Sequence, residues 1–207
     1  MPSRRLGARG ETSPLKKMLF IAYSNMAKSA SAGTYFISMH EVILSLGTNL
    51  GDRENYLYRM EDELQNVLMP PLMISQLMET EPLGTAAGQE WFLNRIVAGR
   101  YGGTPYKLLD SCQAIEKRLG RERPHKNAPR TADIDILLFG AVLLNDARLV
   151  IPHRHLADRR FCIAGLMELA PDRPVPGTGK SVRELEREMG EDVRKQGIRF
   201  VATGTRN

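Results

Sequence analysis

Between Arg121 and Gly140 the chain passes from an arginine-rich loop into Asp133-Ile134-Asp135-Ile136-Leu137-Leu138-Phe139, an apolar run broken by two carboxylates at alternate positions. That alternation restricts the fold. A strand has a side-chain period of two, so Asp133 and Asp135 share one face while Ile134 and Ile136 fill the other. Leu137 and Phe139 would continue the aspartate face of a regular strand, which sets the two charges at the end of a buried face. Like charges beside apolar neighbours are costly unless they are paired or metal-bound. At a rise of about 3.3 Å per residue their Cβ atoms stand roughly 7 Å apart. Such a spacing suits two divalent cations about 3.5–4 Å apart, with phosphate oxygens completing the shells. Arg121, Arg123 and Arg130 arrive just before the strand with planar forks for phosphate. An isolated Asp-x-Asp is more often the wet face of a sheet; the adjoining arginines turn the reading toward phosphoryl transfer.

Bulk properties narrow the field. The chain has 207 residues, 42% hydrophobic and 26% charged, the profile of one ordinary globular domain with room for an extension. No apolar run is long enough for a membrane span. The net charge of +5 suggests nucleic acid until it is located. Residues 1–40 carry Arg4, Arg5, Arg9, Lys16, Lys17 and Lys28 against Glu11, which leaves 23 charges of each sign in the remainder. The excess belongs to the leader and not to the body. Cys112 and Cys162 fall on apolar helix faces and read as buried free thiols, compatible with a reducing compartment.

Residues 1–40 have little periodicity and form a basic leader. A transit peptide, a very short signal core around residues 18–23, and a disordered or untranslated leader with Met39 as the working start all compete, the last being preferred. From residue 41 the pattern sharpens into a domain expected to reach residue 190, followed by a C-terminal tail at 191–207. A strand is expected at 42–46, then a helix capped by Asp52 with Leu57, Met60, Leu64, Val67 and Leu68 at helical spacing, stopped by Pro70-Pro71. Strands follow at 73–78 and 92–101, separated by a loop at 81–90. Thr104-Pro105 opens a second helix with Leu108, Leu109, Cys112, Ile115 and Leu119 on one stripe, and Gly120 closes it. After the aspartate strand come a hairpin partner at 142–144 and a third helix at 160–169. The order β-α-β-β-α-β predicts an α+β protein with a ferredoxin-like core, an antiparallel sheet with flanking helices in a three-layer αβα arrangement.

Gly177-Thr178-Gly179-Lys180-Ser181 imitates the end of a phosphate-binding loop, but Pro174 stands where the first glycine belongs and no strand leads into it. A nucleotide here must be held without such a loop. His153, flanked by Arg148, Arg159 and Arg160, suits further phosphates. Phe92 and Asn94 share a strand face, and with Phe161 they could sandwich a flat heterocycle and read its edge.

Taken in order, these residues resemble the 6-hydroxymethyl-7,8-dihydropterin pyrophosphokinase family of folate biosynthesis. The landmarks are Leu46-Gly47-Thr48-Asn49-Leu50-Gly51, Thr80-Glu81-Pro82-Leu83-Gly84, Phe92-Leu93-Asn94, Gln113 with Glu116, and Arg121 with Arg123. They continue through Pro129 to Gly140, Ile151-Pro152-His153, Arg159-Arg160-Phe161, and Glu168 to Pro171. The resemblance implies transfer of pyrophosphate from ATP to the pterin's hydroxymethyl oxygen, with AMP released. It implies two Mg²⁺ ions on Asp133 and Asp135, with ATP as co-substrate. Arg121, Arg123, Arg130, Asp133 and Asp135 would be the catalytic set. Gln113, Glu116, Arg121, Arg123, Arg130, Ile136, Arg148, Val150, His153 and Arg159 would bind ATP, several through backbone groups. Thr80, Pro82, Leu83, Phe92, Asn94, Asp133 and Phe161 would bind the pterin. A cytoplasmic monomer acting on small molecules, with neither nucleic acid nor membrane as partner, is the corresponding expectation.

Three departures accompany the resemblance. Many relatives carry a tryptophan in the loop after the arginine pair; here that region is His125-Lys126-Asn127-Ala128, one residue shorter, which bears on the timing of loop closure. A pterin-contacting tyrosine of the family is Phe92 here. The leader has no counterpart. An RNA-binding module is the alternative, since the same topology underlies it, although its exposed aromatic motif is missing. A metal-dependent nuclease would not need Phe92, Asn94 and Phe161, and a silent homologue would not keep both aspartates.

Overall fold

A computed structural model describes residues 38–83, 88–122 and 128–202. Strand β1 (His40–Thr48) is followed by helix α1 (Arg53–Gln65), strands β2 (Met69–Ile74), β3 (Leu77–Thr80) and β4 (Phe92–Tyr101), helix α2 (Pro105–Arg118) and strand β5 (Asp133–Phe139). The sheet runs β10-β3-β4-β1-β5, all antiparallel, with β2 also pairing β4; β10 is Ile198–Val201. This is the expected ferredoxin-like order with one added edge strand. Local chemistry sets the helix starts. The Asp52 side chain accepts from Asn55 N–H at 3.2 Å and Thr104 Oγ1 from Lys107 N–H at 3.3 Å, each satisfying a first-turn donor.

Leu57, Met60 and Leu64 of α1 and Leu108, Cys112 and Ile115 of α2 pack on Val42, Leu44, Leu46, Val97, Ile134 and Ile136 of the sheet. Fully burying such a side chain contributes about 1.5–3 kcal/mol, so this layer is the main adhesive. Helix α3 (Arg160–Leu169) covers the opposite face. Its Gly165 lies so close to β4 that an added Cβ would sit 2.2 Å from Ile96 Cγ1. The sheet face that an RNA-binding module would expose is therefore occupied by a helix.

Four expectations need correction. Pro70-Pro71 do not stop α1, which ends at Gln65; they lie in β2, where the register against β4 slips between Met69 and Met73. A bulged, peripheral strand tolerates their missing N–H groups. The strand expected at 73–78 is two strands. At the break the Ser75 hydroxyl accepts from Ile96 N–H at 2.9 Å, standing in for a ladder carbonyl. No hairpin forms between β5 and residues 142–144. Instead β6 (Leu144–Asn145) pairs β7 (Val150–Ile151) in a separate two-stranded sheet. The segment at 191–202, expected as tail, carries helix α5 (Glu191–Arg194) and β10, which joins the main sheet.

The imitation phosphate loop is the turn joining β8 (Pro174–Val175) to β9 (Lys180–Ser181). Gly177 and Gly179 there take φ of 76° and 69°, and Lys180 is spent on Glu188 beyond helix α4 (Val182–Arg187). Among the described residues no helix is long and apolar enough to cross a membrane. Residues 1–37, and with them nearly all of the leader, lie outside the described residues.

Candidate active site

Strand β5 is the last of its sheet, and it is irregular. Its ladder with β1 pairs Leu44 with Ile136 and Ile43 with Leu138, so Leu137 is an extra residue. Phe139 is thereby returned to the face of Ile134 and Ile136, where it packs in the core; the expectation that it continues the aspartate face fails for this reason. The Leu137 carbonyl, freed by the bulge, accepts from His153 N–H at 2.9 Å. One local irregularity thus ends the apolar face and docks the histidine loop beside the aspartates.

Asp133 and Asp135 share the face of α3, as expected. Asp133 stands opposite Gly47, which also pairs Asn94 on β4. A Cβ at 47 would come within 2.7 Å of Asn94 Oδ1, so only glycine there lets Asn94 and Asp133 face one space across β1. The Asn94 amide is oriented by donating to Thr80 Oγ1 at 2.6 Å.

Cations surround the carboxylates. Arg121 Nη1 is 2.6 Å from Asp133 Oδ1 and Arg130 Nη1 is 3.1 Å from Asp133 Oδ2. Arg159 Nη1 lies 3.3 Å from Asp135 Oδ2, with His153 Nε2 at 3.8 Å from the same oxygen. Burial and the charge of Asp133 hold the Asp135 carboxyl above the usual range, opposed by His153, Arg159 and Arg121. The Asp135 side chain keeps 30% of its surface, reached through the cleft, so water tempers that effect. Burial likewise lowers His153, against the pull of Asp135. Since His153 Nδ1 accepts from His155 N–H at 3.3 Å, the neutral ring presents its Nε2 proton toward Asp135.

Backbone contacts fix these groups. The Asn49 side chain accepts from Arg130 N–H at 2.9 Å, and Asn49 N–H donates to Arg130 C=O at 3.0 Å. Glu116 is buried in α2, where its carboxylate accepts from Ile134 N–H at 2.7 Å and pairs with Arg121. Among the described residues the Nε atoms of Arg121 and Arg130, like those of Arg95 and Arg173, are buried with no hydrogen-bond partner.

Beside the aspartates opens a cavity whose wall includes Thr80, Leu83, Phe92, Asn94, Asp133 and Phe161 of the expected pterin set. Arg130 lies over the Phe92 ring at 5.3 Å. Pro82 is not part of this wall. Arg160, expected beside the phosphates, is; so are Glu81, Gln196, Gly197 and Ile198, none of which the sequence singles out. A segment with neither periodicity nor a motif gave no signal for the last three, and Glu81 was hidden inside a quoted motif. Elsewhere, Ile136 is a buried core residue, Val150 lies on β7 and Gln113 is exposed on α2. Arg148 pairs with Asp110 and stacks on Tyr106, apart from the aspartates. Arg123 and the shortened loop at 123–127 lie outside the described residues.

A cavity with two aromatic rings in its wall thus opens onto carboxylates framed by positive charge. The sequence profile described as 7,8-dihydro-6-hydroxymethylpterin-pyrophosphokinase (HPPK) matches residues 43–171. A 2-amino-4-hydroxy-6-hydroxymethyldihydropteridine pyrophosphokinase of Methylorubrum extorquens is 38% identical over 149 residues, covering 70% of this chain and 91% of the relative. Its namesake from Bacillus subtilis is 39% identical over 127 residues, covering 61% and 75%. Among solved structures, the Plasmodium falciparum HPPK-DHPS with SDX-DHP superposes with a TM-score of 0.55 at 14% identity. That likeness speaks for the fold; it covers 73% of this chain and 44% of the longer one.

Proposed function

The chain belongs to the 7,8-dihydro-6-hydroxymethylpterin-pyrophosphokinase family and is a pyrophosphate-transferring enzyme of folate biosynthesis, and from that premise we propose how its own residues divide the work. The hydroxymethyl oxygen of the dihydropterin attacks the β-phosphorus of ATP. The bond from that phosphorus to the α,β-bridging oxygen breaks, AMP leaves with the bridging oxygen, and the hydroxyl proton is lost.

The cavity between Phe92 and Phe161 takes the pterin, with Asn94 reading its amide edge in the orientation Thr80 imposes. Arg121, Arg130, Arg159 and His153 take the triphosphate, and Arg123 is assigned the same role. Gln113, Val150 and the Ile136 backbone are left for the nucleoside. Arg148 joins them only by releasing Asp110, whereas Glu116 acts by holding Arg121.

Two Mg²⁺ ions suit Asp133 and Asp135. The pair consists of like charges side by side, one of them held above its usual pKa, and added positive charge relieves both conditions. Among the described residues no cluster of three or more His, Cys, Asp or Glu forms a metal cage. That fits an ion carried in by phosphates better than a resident one. Held by Asp133 and Asp135, the ions would supply positive charge that neutralises the charge developing on the phosphates. The protein's own contribution is to place the hydroxyl in line and to keep the arginines aimed.

One observation carries the proposal: Asp133 belongs at once to the cation-framed pair and to the wall of the aromatic cavity, so both reactants meet at one carboxylate. AMP release from ATP and Mg²⁺ by the full-length chain, with and without 6-hydroxymethyl-7,8-dihydropterin, tests it. AMP that appears only with the pterin is the expected result. AMP formed equally without it would mean simple ATP hydrolysis and remove the assignment of the cavity.

A further inference from the structure

Helix α3 begins without a cap of its own. Arg159 occupies the N-cap position in extended geometry and makes no side-chain capping bond, yet the first N–H groups of a helix need partners. Gln196 supplies one from far along the chain. Its Oε1 accepts from Arg160 N–H at 2.9 Å while its Nε2 donates to Asp158 C=O at 2.7 Å. A single amide therefore grips the backbone on both sides of Arg159. A return bond runs from Arg160 Nη1 to Gln196 C=O at 3.0 Å.

The neighbouring residue is equally committed. Gly197 N–H donates to Glu81 Oε1 at 2.7 Å, and Gly197 C=O accepts from Glu81 N–H at 3.2 Å. A Cβ at 197 would stand 2.9 Å from Trp91 Cη2 and 3.2 Å from the Glu81 carboxyl, so the close crossing needs glycine. Strand β10 then anchors the segment to β3.

We propose that Gln196 is a positioning residue for pyrophosphoryl transfer. Capping α3 from outside, it fixes Arg159 against Asp135, and so makes the C-terminal strand part of the active site. The proposal rests on the assignment of Arg159 to the phosphates. Arginine is a long, rotamer-rich side chain, and small displacements of positioning groups are expensive in rate.

A double-mutant cycle on the full chain tests this by AMP release under saturating substrates. Gln196→Ala is expected to lower kcat about tenfold, and the same change in an Arg159→Ala background to cost at most about twofold, because the group it acts through is gone. Lys195→Ala, which removes an exposed pair with Glu191, leaves kcat unchanged. Gln196→Glu keeps an acceptor for Arg160 N–H but turns an oxygen toward Asp158 C=O. It is expected to lose less than Gln196→Ala, and it replaces that variant in the cycle should the latter not fold. Equal losses in both backgrounds, or a wild-type kcat in Gln196→Ala, overturn the proposal. An Arg159→Ala enzyme with wild-type kcat and KM for ATP removes the phosphate assignment itself, and the proposal with it.

Discussion

Asp133 has both carboxylate oxygens on arginines, whereas Asp135 meets Arg159 and His153. The two were read together from their spacing, but their surroundings differ in a way spacing does not encode. Asp133→Ala and Asp135→Ala are each expected to cut AMP release by at least about a thousandfold, with far-UV circular dichroism unchanged; turnover near wild type in either would sink the metal assignment. Glu116, which the resemblance puts at the nucleoside, is buried and holds both Arg121 and the Ile134 N–H. Glu116→Ala strands the Ile134 N–H and leaves Arg121 with Asp133 alone, so denaturant unfolding should show a loss of about 1–3 kcal/mol. The cysteines follow their expectation: burial pushes the thiols of Cys112 and Cys162 up to about 12. A raised thiol pKa means less thiolate, so neither should react with a disulfide reagent at pH 8 until the protein is unfolded.

Elements with a strong period were legible, and those shaped by a neighbour were not. Strand β4 and helix α3 match their expected spans, since alternation and helical spacing are properties of the segment itself. The bulge at Leu137, the break at Ser75 and the trans cap of α3 each depend on a partner distant in sequence. Sequence alone gave both aspartates and most of the cavity wall, but not Asn49, Glu81 or Gln196. The close seat of α3 was equally hidden in an unremarkable glycine. Gly165→Ala would press a methyl into Ile96, an overpacking that costs about 1–3 kcal/mol. Because Arg159 and Phe161 ride on the start of that helix, melting temperature and kcat should fall together; a lower melting temperature with wild-type kcat would show that the helix shifts without moving its N-terminus.

At the scale of the molecule the family match and the structure draw different boundaries. The match ends at residue 171, yet β10 at 198–201 pairs β3 and Gln196 lines the cavity. At the other end the match starts at residue 43, three residues into β1. Trimming should therefore be asymmetric. A chain begun at Met39 is expected to release AMP at the full-length rate, while one ended at Gly190 should lose most of its activity; equal tolerance at both ends would contradict the place given to the C-terminal strand. The bulge in β5 has a further consequence at this scale. Strand β5 is terminal in its sheet, and its Ile-Leu-Leu-Phe run is of the kind that templates pairing between molecules. The extra residue breaks the regular row of edge groups, and the His153 loop claims the Leu137 carbonyl. Two charged side chains stand beside it on the same strand. What equips this edge for chemistry also guards it against aggregation, so variants that neutralise the aspartates should be watched for lost solubility as closely as for lost turnover.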